Sequence, residues 1–108
     1  MANSFKNYFL KNATTSASNV YVAGAGVQAT VIGMSIGNTT SAPVSANVTV
    51  VSGGTSYFML QGATIAPGGA LVPVGGDQKL VLEAGDYMQV QTSATNSADV
   101  IVSVLEIS

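Results

Sequence analysis

Short apolar runs alternate along the chain with clusters of Gly, Pro, Asn and Ser, and inside the runs apolar and polar positions alternate with a period of two. Successive side chains of a strand point to opposite faces, so this period predicts strands rather than helices. Ser45–Val51 reads most plainly: Ala46, Val48 and Val50 fall on one face, Asn47 and Thr49 on the other. The same reading predicts strands over Ser4–Leu10, Val20–Ala23, Thr30–Ile36, Thr55–Leu60, Ala63–Ile65, Ala70–Val74, Lys79–Glu83, Tyr87–Thr92 and Ala98–Ile107. Within Thr30–Ile36 it assigns Ile32, Met34 and Ile36 to one face and Val31, Gly33 and Ser35 to the other. Ala98–Ile107 is apolar on both faces, with Val100, Val102 and Val104 opposed by Ile101, Leu105 and Ile107, which marks a central strand or one covered by a partner.

Turn chemistry separates these runs. Gly53-Gly54, Pro67-Gly68-Gly69, Gly75-Gly76-Asp77 and Ala84-Gly85-Asp86 are turn signals. Pro73 lacks a backbone N–H and sends its run to a sheet edge or a strand end. Eight to ten short strands at even spacing predict an all-β, single-domain β-sandwich or small jelly roll over residues 1–108. The polar tract Asn12–Asn19 is the nearest thing to a mobile segment. Residues 1–19 are therefore read as a docking arm, Ala2–Leu10 with apolar contacts Phe5, Tyr8, Phe9 and Leu10, followed by that tract.

Composition narrows the chemistry. The 108 residues include no His, Cys or Trp, three Lys (Lys6, Lys11 and Lys79), no Arg and five carboxylates, so charged residues are 7% of the chain, against roughly a quarter in an ordinary soluble domain. Three scattered lysines offer no track for a phosphate backbone, which argues against nucleic-acid binding. The N-terminus lacks the apolar core of a secretory signal, and no apolar run approaches the ~20 residues of a membrane-spanning helix. A neutral, hydroxyl- and amide-rich surface carries little like-charge repulsion and suits a homo-oligomer or a larger assembly.

Candidate sites are few. A serine triad is impossible without His, and thiol chemistry without Cys. Glu83 and Asp86 flank one turn, but Asp after Gly85 reads as a backbone acceptor within that turn. Asp77 with Asn96 or Asp99 forms no recognisable calcium loop. No catalytic, cofactor-binding or metal-ligating residue is assigned. The aromatics read mainly as core or cross-strand pairs. Tyr57 and Tyr87 are the candidates for a glycan contact.

The opening Met-Ala-Asn-Ser-Phe-Lys-Asn-Tyr, the segment Thr30–Asn38 and the stretch Val72–Ser108 resemble small virion structural proteins of tailed bacteriophages, phages of cyanobacteria among them. The resemblance implies a non-enzymatic β-sandwich present in many copies on a virion and made in the host cytoplasm. It implies a capsid decoration (cement) protein bound to the major capsid protein as oligomers or, as the alternative, an accessory of the neck, tail or fibre with a glycan-binding role in adhesion. The likeness lies in strands and turns, so it carries no site residue with it.

Overall fold

The alternating runs form nine antiparallel strands among the described residues of the computed structural model, 3–74 and 79–107. These are β1 (Asn3–Ala13), β2 (Ser18–Val22), β3 (Gln28–Asn38), β4 (Val44–Ser52), β5 (Thr55–Ile65), β6 (Ala70–Val74), β7 (Leu80–Leu82), β8 (Tyr87–Thr92) and β9 (Ala98–Ile107). Two predicted runs, Thr55–Leu60 and Ala63–Ile65, are one strand. Gly62 joins them at φ 67°, and its N–H donates to Asn47 Oδ1 at 2.7 Å. That bulge accommodates the extra residue without ending the strand. The predicted turn at Gly75-Gly76-Asp77, and Asp77 as a candidate calcium ligand, lie outside the described residues.

The strands make two sheets. The larger has the order β1-β9-β3-β6, with β7 also paired to β3; the smaller has the order β2-β8-β4-β5. β6 pairs with the Met34–Gly37 half of β3 and β7 with Ala29–Val31, so together they form one edge. Pro73 sits on that edge, where a missing N–H is tolerated. The first strand lies beside the last, and the chain changes sheet at every connection except β4–β5 and β6–β7. This is the jelly-roll arrangement.

The core lies between the sheets. Val31, Met34, Ile36, Val100, Val102 and Val104 of the larger sheet face Tyr21, Val48, Met88 and Val90 of the smaller, all buried. β9 is the central strand that its two-faced apolarity predicts. In β3 the alternation is broken, because the pairing with β9 shifts between Val31 and Gly33. The extra residue turns Val31 inward along with Met34 and Ile36 and leaves Ile32 only partly buried, which corrects the simple face assignment of this strand. A one-residue bulge exchanges the faces on either side of it.

Polar groups inside this frame are satisfied locally. Asn38 is buried at the end of β3, where its Nδ2 donates to Ala42 O (2.8 Å) and Ile65 O (3.0 Å) and its Oδ1 accepts from Thr40 N (2.8 Å). One side chain thus pins the turn leading into β4 against the end of β5. The polar tract after β1 is tied down too. Thr14 O accepts from Thr92 N at 2.9 Å, and Thr15 O accepts from Gln91 Nε2 at 2.7 Å.

The expected docking arm is corrected by β1. From Asn3 to Leu10 it pairs residue by residue with β9, Asn3 opposite Ile107 and Leu10 opposite Val100. The segment is an edge strand of the larger sheet rather than a detached arm. Its alternation divides the expected contacts: Tyr8 and Leu10 pack against the core, while Phe5 and Phe9 stay exposed.

Candidate assembly surface

Antiparallel register brings residues from four strands into rows across the outer face of the larger sheet. The first row runs Phe5–Leu105–Thr30–Val81 through β1, β9, β3 and β7. The next is Asn7–Ser103–Gly33. The third is Phe9–Ile101–Ser35, with Val72 of β6 in the irregularity beside Ser35. Phe5 is 75% exposed and Phe9 69%, and Val72, Val81 and Ile101 are exposed with them. Two raised apolar rows therefore flank a low polar one. Ser103 Oγ donates to Asn7 Oδ1 at 2.7 Å, which keeps that low row flat.

Beside the Phe5 row this relief leaves a notch of about 240 Å³, lined by Phe5, Lys6, Asn7, Ile32, Ser103 and Val104. A shallower one of about 180 Å³ lies next to Phe9 and Ile101. At the rim Lys11 Nζ meets Asp99 Oδ2 at 3.1 Å, and Asp99 Oδ1 accepts from Asn12 N. That backbone hydrogen bond, with the lysine, holds the Asp99 carboxyl below the usual range. The outer face of the smaller sheet differs. Its central rows carry Asn19, Thr49 and Gln89, with Gln89 Nε2 donating to Asn19 Oδ1 at 3.0 Å. That row ends on Phe58 of β5, which is exposed, so the face is polar at its centre and apolar at its β5 edge.

A second cluster lies on the core-facing side, where the β1 and β2 edges of the two sheets meet. Tyr8 OH (2.9 Å) and Tyr21 OH (2.7 Å) both donate to Glu106 Oε2, and Lys6 Nζ reaches Oε1 at 3.2 Å. The tyrosine rings pack at 4.8 Å between centroids, tilted by 59°. The hydrogen bonds, that from Tyr21 foremost, hold the Glu106 carboxyl below its ordinary value. Burial, reinforced by the Glu106 charge, pushes both phenols up. Two neutral phenols and an ammonium take three of the roughly four lone-pair sites of this carboxylate. It joins the two sheets, and its donors favour the ionised form.

The remaining sequence candidates do not converge. Asp86 Oδ2 accepts from Glu83 N at 3.0 Å, the turn role expected of it. Tyr57 shares a row with Val50 and Met88, and Tyr87 lies in the next row with Val51 and Ser56. Adjacent rows face opposite ways, so the two tyrosines expected to form a glycan contact are not brought onto one face. Tyr57 is 57% exposed and Tyr87 partly buried. Among the described residues no three His, Cys, Asp or Glu side chains gather as a metal site, and no helix is long and apolar enough to cross a membrane.

Sequence reading missed the raised rows because each joins residues far apart in the chain. It missed the role of Glu106 as well, although its position signals it: Glu106 continues the inward series Val100, Val102, Val104.

Neither protein-family models nor curated proteins match this chain. Among solved structures it is similar to a chain from the Bacillus endospore appendages, described as a novel family of disulfide-linked pili. The TM-score is 0.55 at 14% identity, over 99% of this chain and 87% of that one. The similarity is one of fold. It also corrects the expectation of a phage capsid decoration protein, or of a neck, tail or fibre accessory, because this fold-level neighbour belongs to a bacterial pilus.

Proposed function

We propose that this chain is a non-enzymatic structural subunit that works by packing against further copies of itself. The outer face of the larger sheet carries this reading, with Phe5, Phe9, Val72, Val81 and Ile101 held exposed in register. Fully burying a side chain of this kind is worth about 1.5–3 kcal/mol, so two rows of them on one face favour association. A net charge of −2 puts little repulsion in its way. The likeness to a pilus chain supports an architectural role. Those pili are described as disulfide-linked; this chain has no cysteine, so its own assembly rests on non-covalent contacts.

Sedimentation across the micromolar range tests the reading. Oligomers that grow with concentration and survive reductant are expected. A Phe5→Ser/Phe9→Ser variant with an unchanged circular dichroism spectrum is expected to sediment as a monomer. A wild-type chain that stays monomeric throughout that range overturns the proposal.

A further inference from the structure

The geometry points to one mode of self-association: two copies stack the outer faces of their larger sheets about a two-fold axis, each seating its Phe5 ring in the groove floored by Asn7, Ser103 and Gly33 of the other. This inference rests on the self-association proposed above and names its contact.

Relief comes first. Rows on one face of a sheet repeat every two residues, about 6.8 Å apart. Here a raised row (Phe5, Leu105, Thr30, Val81) lies directly beside a low one (Asn7, Ser103, Gly33), with the bulge residue Ile32 next to Gly33. A two-fold axis running parallel to the rows and midway between these two carries each raised row into the other copy's groove. The contact is then reciprocal, as an isologous interface demands. The notch of about 240 Å³ beside that groove, lined by Asn7, Ile32 and Ser103 among others, is open to the face and gives an incoming ring a place to enter.

Area and charge identify the occupant as a second copy. The larger sheet is four strands wide and its central strand is ten residues long, so at about 4.8 Å per strand and 3.4 Å per residue its face covers roughly 650 Å². An axis between the Leu105 and Ser103 rows overlays residues 101–107 of the two central strands, so the two faces bury about 900 Å², the size of a weak, reversible contact. At the rim and in the notch no like charges are set against each other. Lys11 and Asp99 neutralise each other at the rim. Lys6, which lines the notch, turns its ammonium to Glu106 at 3.2 Å. The smaller sheet exposes Phe58 and Val22 at its two edges, but Asn19, Thr49 and Gln89 lie between them, so it has no alternation of raised and low rows to match.

Two variants separate seating from general stickiness. Phe5→Ala removes the ring; Ser103→Phe fills the groove while making the face more apolar. Seating requires both to weaken dimerisation by at least about tenfold, read by sedimentation. Ser103→Phe that associates as well as or better than wild type overturns the seating. Loss of association by Phe5→Ser/Phe9→Ser then leaves the structural-subunit reading standing; if that variant also associates normally, both fall. Because the chain has no cysteine, a mixture of Phe5→Cys and Ser103→Cys proteins gives an independent readout. Faces stacked about 10 Å apart lie beyond disulfide reach, so a short bis-maleimide is the probe: it is expected to trap mixed dimers in excess of those formed by either variant alone, and no such excess overturns the inference.

Discussion

Glu106 shows what a single residue contributes to this sandwich. Its carboxylate accepts from one tyrosine of each sheet, and removing it strands the phenol of Tyr21, whose residue is 2% exposed. An unpaired buried hydroxyl costs about 1–3 kcal/mol, so Glu106→Ala is expected to lower stability by that amount in urea denaturation. The pH dependence has a defined sign. Glu106 and Asp99 both ionise more readily in the fold than at their ordinary values of 4.5 and 3.8. Their contribution is therefore complete above about pH 5 and is lost as pH falls through the lowered folded values. The phenols of Tyr8 and Tyr21 are shifted upward, so their contribution is complete below pH 10 and declines as pH rises past it. Thermal melts of Glu106→Gln are expected to show a lower midpoint at neutral pH and a shallower acid decline, with the remainder owed to Asp99. Gly62 is a backbone case. An alanine Cβ meets no neighbour there, but φ stands at 67°. Gly62→Ala is expected to cost about 1–2 kcal/mol through conformation alone, read as a lowered urea midpoint.

At the scale of elements, strands were legible in the sequence and their partners were not. Ala98–Ile107 is bounded in the structure as its alternation predicts, and Pro73 lies at an edge. Both follow from local chemistry. The face of Ile32 was not legible, because a bulge is defined only by the strand across from it. Nor was the outer face of the larger sheet: Phe5, Leu105, Thr30 and Val81 become neighbours only after the chain has crossed the sandwich six times. β1 gives the sharpest test of the corrected arm. Its removal leaves β9 without a neighbour on one side and takes away Tyr8 and Leu10 from the core. A chain lacking residues 2–10 is expected to lose cooperative thermal unfolding. A truncated chain that keeps a sharp two-state transition would return the segment to the status of a free arm.

For the whole molecule, the first strand paired with the last makes folding depend on contacts of the longest sequence separation. All-β domains of this kind fold in milliseconds to seconds rather than microseconds. The same pairing has an engineering consequence. Asn3 faces Ile107 across the β1–β9 ladder, and residues so paired have Cα atoms about 4.5–5.5 Å apart. A short Gly/Ser linker from residue 107 to residue 3 therefore closes the chain into a ring without bending either strand. Opening that ring in the exposed turn at Pro67-Gly68 gives a circular permutant, expected to melt cooperatively because no ladder is cut. Gly37 pairs with both Asp99 and Ala70, so the new ends emerge at the opposite tip of the sandwich. A domain fused to residue 107 and one fused to the permutant would ride on opposite tips, leaving the broad face between them clear.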